Sequence, residues 1–308
     1  MPHRHRTPWI GLCLLLACSL SGAAVPARAA EPGADDVLRV RTVDTDVELG
    51  MLVTGTIEID AAGQVQRYTI QHRDQLPKAV TTLIDSRVPL WSFEPVALPE
   101  GQATTLSRMA LRFVAHRAGE TDYAVALRGA SFQAIQPDAP ETHELRLPEG
   151  TGFDYPASAA KVGVSAIAYV ALRIDPSGKV TDAAIRQVNL RIDANERQLA
   201  FWRDYFARES VRQARRLRFL PPTTGPDAGT GPWTITLPLD YAFAGETPWK
   251  TPGRWDTYRP GPIRMIPWVG ADDPDAGTPP DTAIPSRLQS NHEHRRLRRQ
   301  PSGAPSDD

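Results

Sequence analysis

Few residues in this chain have the types and spacing that do covalent chemistry. Ser158-Ala159-Ala160-Lys161 is a Ser-x-x-Lys pattern, in which a lysine activates a serine nucleophile. The partner motifs Ser-Asp-Asn and Lys-Thr-Gly do not follow, since Lys250-Thr251 runs on into Pro252. The motif alone is too short and permissive to carry a serine hydrolase, and a surface helical turn is its simpler reading. His72, His116 and His143 fall at strand ends or in loops. A zinc site needs three or four converging ligands, and no His/Asp/Glu spacing offers them. His143-Glu144 lacks the second histidine of a zincin, and His292 and His294 sit in a charged C-terminal run with Arg295-Arg296-Leu297-Arg298-Arg299. That run reads as solvated charge; its other reading is contact with anionic lipid. The sequence therefore predicts no catalytic residue, no metal and no cofactor. The alternative carried forward is a periplasmic hydrolase using Ser158 and Lys161.

The elements around these residues are more telling. Ile59-Asp60-Ala61-Ala62-Gly63-Gln64-Val65 and Ile174-Asp175-Pro176-Ser177-Gly178-Lys179-Val180 share the pattern Ile-Asp-x-x-Gly-x-Val. Val53, Gly55, Ile57 and Ile59 alternate with polar residues before the first turn, and Ala168, Val170, Leu172 and Ile174 share one strand face before the second. A period of two marks a half-buried strand. Val65–Ile70 and Val180–Leu190 return as hairpin partners. A helical stripe follows each hairpin. Val80, Leu83, Ile84 and Val88 follow Leu76-Pro77 and stop at Pro89; Leu199, Trp202 and Phe206 lie on a longer helix running to about Arg216. Asp193 with Glu196 three residues on makes a capping-box pattern for that helix. Arg203, Arg208, Arg212 and Arg215 alternate with Glu196, Asp204 and Glu209, which reads as ordinary surface pairing. After each helix comes an aromatic segment, Trp91-Ser92-Phe93 and Leu217-Arg218-Phe219; core packing explains these four apolar residues better than a binding box does. Ser107–Val114 closes the first unit. Trp233–Phe243 closes the second, with Ile235, Leu237, Leu239 and Tyr241 on one face. Pro238 cannot donate a ladder hydrogen bond and so points to a sheet edge.

The expected class is α+β: two small tandem units, each an antiparallel sheet with a helix on one face. The boundaries read as a signal peptide over 1–29, a lead over 30–37, the first unit over 38–118, a connector over 119–152, the second unit over 153–244, and a loose tail over 245–308. Eleven of the 64 tail residues are proline and none of it is periodic. Trp249, Trp255, Tyr258, Ile263, Met265, Ile266 and Trp268 give its first half the means to dock on the folded units in extended form. The N-terminus is basic at His3-Arg4-His5-Arg6 and apolar from Trp9 to Leu20, too short to span a bilayer comfortably, and ends in the small-x-small site Ala27-Arg28-Ala29. Both cysteines, Cys13 and Cys18, lie in this segment, so the mature chain carries no disulfide. Leu15-Leu16-Ala17-Cys18 offers an alternative: a lipoprotein acylated at Cys18. The net charge of −1 gives no field for nucleic acid.

Taken as a set, Tyr155-Pro156, Ile174-Asp175, Pro176-Ser177-Gly178-Lys179-Val180, Arg215-Arg216-Leu217-Arg218-Phe219-Leu220-Pro221 and the strand Ile235–Phe243 resemble the TonB C-terminal domain over about 90 residues. The first unit is similar but more divergent, matching at Gly55, Ile59-Asp60, Gly63, Val65 and Trp91–Pro95 without the opening Tyr-Pro. The resemblance implies a three-stranded antiparallel sheet, a periplasmic setting, and capture of an extended peptide by strand addition. Energy-transducing members of that family keep an N-terminal transmembrane helix and a long spacer. Here a cleavable-looking signal and about eight residues precede the first unit. A protein without an anchor cannot pull on a receptor, so energy transduction to outer-membrane receptors is the alternative that requires Trp9–Leu20 to stay uncleaved.

The expected activity is non-enzymatic contact with a periplasmic or outer-membrane protein partner through an unpaired strand edge. The residues assigned to it are Trp233, Thr234, Ile235, Thr236, Leu237, Leu239 and Tyr241. Pairing of that edge with the tail, or with the other unit, is the competing expectation. Membrane contact is expected only through an acylated Cys18 or an uncleaved signal.

Overall fold

In a computed structural model, the described residues are 47–98, 101–117, 123–135, 140–225, 227–243, 251–269, 279–283 and 297–299. The signal segment with Cys13 and Cys18, the lead over 30–37, Trp249, His292 and His294 lie outside them. No described helix is long and apolar enough to cross a membrane.

The first hairpin begins with β1 (Glu48–Asp60), whose residues alternate between buried and half-buried. Met51, Val53, Ile57 and Ile59 are at most 2% exposed on its inner face. The turn to β2 (Val65–Ile70) is closed by the Asp60 carboxylate, which accepts from the backbone N–H of Ala62 and of Gln64, both at 2.9 Å. Helix α1 (Lys78–Arg87) buries Val80 and Ile84 and passes into a short 3-10 turn containing Pro89. Then come β3 (Ser92–Phe93), β4 (Thr104–Arg117) and β5 (Tyr123–Ile135). The main sheet runs β2-β1-β4-β5, all antiparallel. Trp91 and Phe93 meet Phe132 edge-on at 5.4 and 4.8 Å, in one core with Met109, Leu111 and Phe113.

β5 corrects an expectation. Residues 119–152 read as a connector with some strand character over Tyr123–Phe132, and Tyr123–Ile135 is instead a full sheet strand that pairs with β4 along its whole length. Its small residues alternate weakly, so pairing rather than amphipathicity makes it a strand.

The second hairpin follows α2 (Ala157–Val162): β6 (Ala166–Ile174) and β7 (Val180–Leu190). Helix α3 (Glu196–Ala214) packs Leu199, Phe206, Ala207 and Ala214 onto the sheet. Its capping box is Asn195 with Gln198, not Asp193 with Glu196. Asp193 accepts instead from Arg259 at 2.8 Å. β8 (Trp233–Tyr241) completes the order β7-β6-β8, again antiparallel.

The two hairpins coincide in detail. Each first strand is central, with its hairpin partner on one side and a strand from beyond the helix on the other. Asp175 closes its turn as Asp60 does, accepting from Ser177 N–H at 2.8 Å and Lys179 N–H at 3.0 Å. Gly63 and Gly178 sit at φ of 83° and 81°. Each carbonyl accepts from the phenylalanine after the helix, Phe93 and Phe219, at 2.8 Å. A Cβ at either glycine would stand 2.2 or 2.0 Å from that phenylalanine's carbonyl oxygen. Ile59 faces Val65, Ile174 faces Val180, and an irregularity precedes each isoleucine.

Both sheets belong to one compact unit. Part of the proline-rich tail belongs to it too, docked in the extended form expected of its first half, which narrows the largely disordered segment expected over 245–308. β9 (Asp256–Tyr258) pairs with Glu48–Gly50 of β1, and β10 (Leu297–Arg299) pairs with β3.

Candidate strand-addition edge

Every β-sheet of three strands has two edges with unpaired backbone groups, and a folded chain has to pair, cover or expose each one. Here they are treated differently. The β7 edge is followed by residues 256–268, a segment called the strap below. Leu190 and Arg259 exchange backbone hydrogen bonds at 2.7 and 3.0 Å, and Arg264 N–H donates to the Arg186 carbonyl at 2.7 Å. Between them Gly261 N–H donates to Asn189 Oδ1 at 3.1 Å, and Gln187 Nε2 donates to the Gly261 carbonyl at 3.0 Å. Arg203 on α3 donates to the Pro260 carbonyl at 2.9 Å. The β7 residues beside the strap, Ile185 to Leu190, are all buried, whereas Thr181, Asp182 and Ala184 ahead of them are not.

Charge fixes the strap as well. Arg191, just past β7, lies between Asp240 of β8 at 2.6 Å and Asp256 of the strap at 3.1 Å. Burial works against the Arg191 charge, but the two carboxylates hold its pKa above the usual guanidinium value. Burial raises the Asp256 carboxyl, with Arg191 opposing that shift. Nearby, Glu48 of β1 accepts from Arg128 and from the Tyr258 hydroxyl, the latter at 2.9 Å. Arg112 stands 4.9 Å over the Tyr258 ring and 3.1 Å from Asp281. Breaking one member of such a buried pair costs several kcal/mol because it strands the other charge. The cavity enclosed by Arg112, Tyr169, Asn189, Arg191, Asp256 and Tyr258 measures about 30 Å³. That is room for a water, not for a substrate. This cluster joins the strap to both sheets; it is not an active-site cleft.

The β8 edge differs. Among the described residues, β6 is the only strand that pairs with β8. Among the described residues, the tail therefore lies along the β7 edge and not along the β8 edge that sequence reasoning offered as its alternative berth. The seven residues assigned to docking divide by face. Trp233, Ile235, Leu237, Leu239 and Tyr241 are at most 3% exposed and pack in the core of the second sheet and α3. Tyr241 donates to or accepts from Ser210 at 3.0 Å, and burial pushes its phenol up to about 12. Thr234 and Thr236 are half-buried on the opposite face, where Thr236 accepts from Arg186 at 3.0 Å. The five apolar side chains thus hold the strand in place, and what β8 can present outward is its backbone. Pro238, opposite Tyr169, withholds one donor from that backbone.

The residues with catalytic types do not converge. Ser158 and Lys161 are both exposed on α2, and no hydrogen bond joins them among the described residues. Ser158 N–H donates instead to the Tyr205 hydroxyl at 3.2 Å. His72 and His116 are exposed, and no group of three His, Cys, Asp or Glu side chains is placed to hold a metal among the described residues. Sequence reasoning missed Arg191, Arg112 and Asp256. The signal available was an arginine within a run of strand residues, with no acid at helical spacing to pair with it.

Comparison of the chain with protein-family models, with curated proteins and with solved structures finds no match.

Proposed function

We propose that the chain is an exported, non-enzymatic protein of two tandem TonB C-terminal-like units that takes an extended segment of a protein partner as an added strand along β8. The observation that carries this reading is the asymmetry of the second sheet: the chain covers the Arg186–Leu190 half of the β7 edge with its own strap, while β8 has no second strand beside it among the described residues. The duplicate unit is supported by the matching turns at Asp60–Gly63 and Asp175–Gly178. Strand addition needs backbone groups, and specificity then comes from pockets for alternate side chains. The half-buried Thr234 and Thr236 side chains flank that path.

The test is site-specific photo-crosslinking in cells, with the reactive residue placed at Thr234, at Thr236 and, as a control on the opposite edge, at Thr181. Adducts of defined mass from the β8 sites and none from Thr181 are expected. Equal yields at all three positions, or no adduct from β8, rejects the reading. An adduct of twice the chain's mass identifies a second copy as the occupant and rejects a different partner. Mass measurement of the mature N-terminus separates export with cleavage from the anchored, energy-transducing form.

A further inference from the structure

The outward face of α3 does not match the surface pairing that its sequence suggests. Arg212 does pair with Glu209, but Arg203 turns away to the strap carbonyl of Pro260. Arg197, Arg208, Arg215 and Arg216 are exposed and have no carboxylate partner among the described residues. At about 100° per residue, Arg197, Phe201, Arg208, Arg212 and Arg215 fall in a stripe roughly 60° wide. Two acids of α3 lie beside this stripe: Glu209, paired with Arg212, and Asp204, 3.6 Å from Arg264.

Phe201 sits among these arginines and is 56% exposed. It stacks on Tyr205 with 6° between the ring planes and meets Trp202 edge-on at 5.0 Å. A second exposed apolar residue comes from α2. Asp154 N–H donates to the Gln213 side chain and Ser158 N–H to the Tyr205 hydroxyl, so this segment runs antiparallel to α3. It leads to Lys161 and Val162, the latter 62% exposed.

We propose that this face, Arg197, Phe201, Arg208 and Arg215 of α3 with Lys161 and Val162 of α2, docks on an anionic lipid bilayer surface. Arg197, Arg208 and Arg215 have no carboxylate partner among the described residues, and they lie on the same stripe as the protruding Phe201. Phosphate headgroups complement the arginines, and the upper acyl region takes Phe201 and Val162. The surface is a helical ridge and not a groove. A ridge lies on a plane more readily than it encloses a peptide, which favours a membrane over a protein segment. Docking here leaves the β8 backbone edge free, so the inference stands apart from strand addition.

The test uses the full chain with vesicles of phosphatidylcholine, with and without phosphatidylglycerol. Flotation alone would also report the apolar Trp9–Leu20 segment, so the local readout is hydroxyl-radical labelling of Phe201 and Trp202 by mass spectrometry. Labelling of both should fall on anionic vesicles and stay unchanged on neutral ones. At roughly fivefold in affinity per arginine, R208Q/R215Q should weaken the anionic component roughly 25-fold. F201S should abolish the protection of Trp202. Unchanged labelling on anionic vesicles overturns the proposal whether or not the chain floats, as does protection that survives both substitutions.

Discussion

Replacing Gly261 by alanine tests how tightly the strap holds β7. The residue lies outside the left-handed region, so the substitution adds no backbone strain of its own. The added Cβ would stand 2.2 Å from the Val188 carbonyl oxygen, so the strap has to move out by about 1 Å to reach an ordinary contact distance. It is tethered on both sides of that point, by the Leu190–Arg259 pair and by Arg264 N–H on Arg186. The displacement therefore breaks the local bonds, Gly261 N–H to Asn189 and Gln187 to the Gly261 carbonyl. Each is worth about 1 kcal/mol net, and the fully buried Asn189 then carries an unsatisfied amide oxygen at about 1–3 kcal/mol. The expected loss is about 3–5 kcal/mol in urea unfolding at unchanged m. Amide exchange at Arg186–Leu190 should rise while that of β8 stays as in the parent. A loss under about 0.5 kcal/mol with unchanged exchange along β7 would refute the reasoning, because the strap would then yield at no cost and could not be what closes that edge.

Two further outcomes follow from the same geometry. Gly178→Ala should cost about 2–4 kcal/mol: about 1–2 for the left-handed backbone and the rest for pushing Phe219 off the turn. Gly229→Ala has a similar positive φ but open space, so it should cost only the backbone part in parallel denaturation curves. Stability should also fall at alkaline pH. Tyr241 ionises near 10 when unfolded but only at about 12 when folded, so its contribution is intact below 10 and is lost as pH rises from 10 through 12. Tyr241→Phe should flatten that part of a stability-versus-pH curve.

The hairpins were legible in the sequence because their causes are local. Asp-x-x-Gly closes its own turn through one carboxylate and one left-handed residue, and strand alternation then assigns the faces. The same alternation in β8 put Ile235, Leu237, Leu239 and Tyr241 on one face, and the structure places that face in the core. β5 was harder to see. Ala124, Ala126, Gly129, Ala130 and Ala134 give little contrast between faces, and β4 supplies the order. The strap was the least legible. Its pairing with β7 has no periodicity of its own, and its ionic anchor joins Arg191 to Asp256, 65 residues away. A capping pattern also misled: Asp193 fits the N-cap pattern as well as Asn195 does, but only Asn195 sits where the helix begins.

The proline content of the tail now has a structural meaning. Capping a sheet edge with another strand usually moves the problem outward, because the new strand exposes an edge of its own. Pro260, Pro262 and Pro267 have no N–H to offer, so the strap can accept the β7 edge without presenting a continuous ladder on its far side. Gly261 between the first two is what lets so proline-rich a segment approach the Val188 carbonyl. β8 lacks this protection: one proline in nine residues interrupts its backbone once and leaves the rest able to pair. Among the described residues, then, one edge of the second sheet is covered in part by a segment suited to ending a sheet, and the other has no strand beside it; that contrast is what the strand-addition proposal rests on.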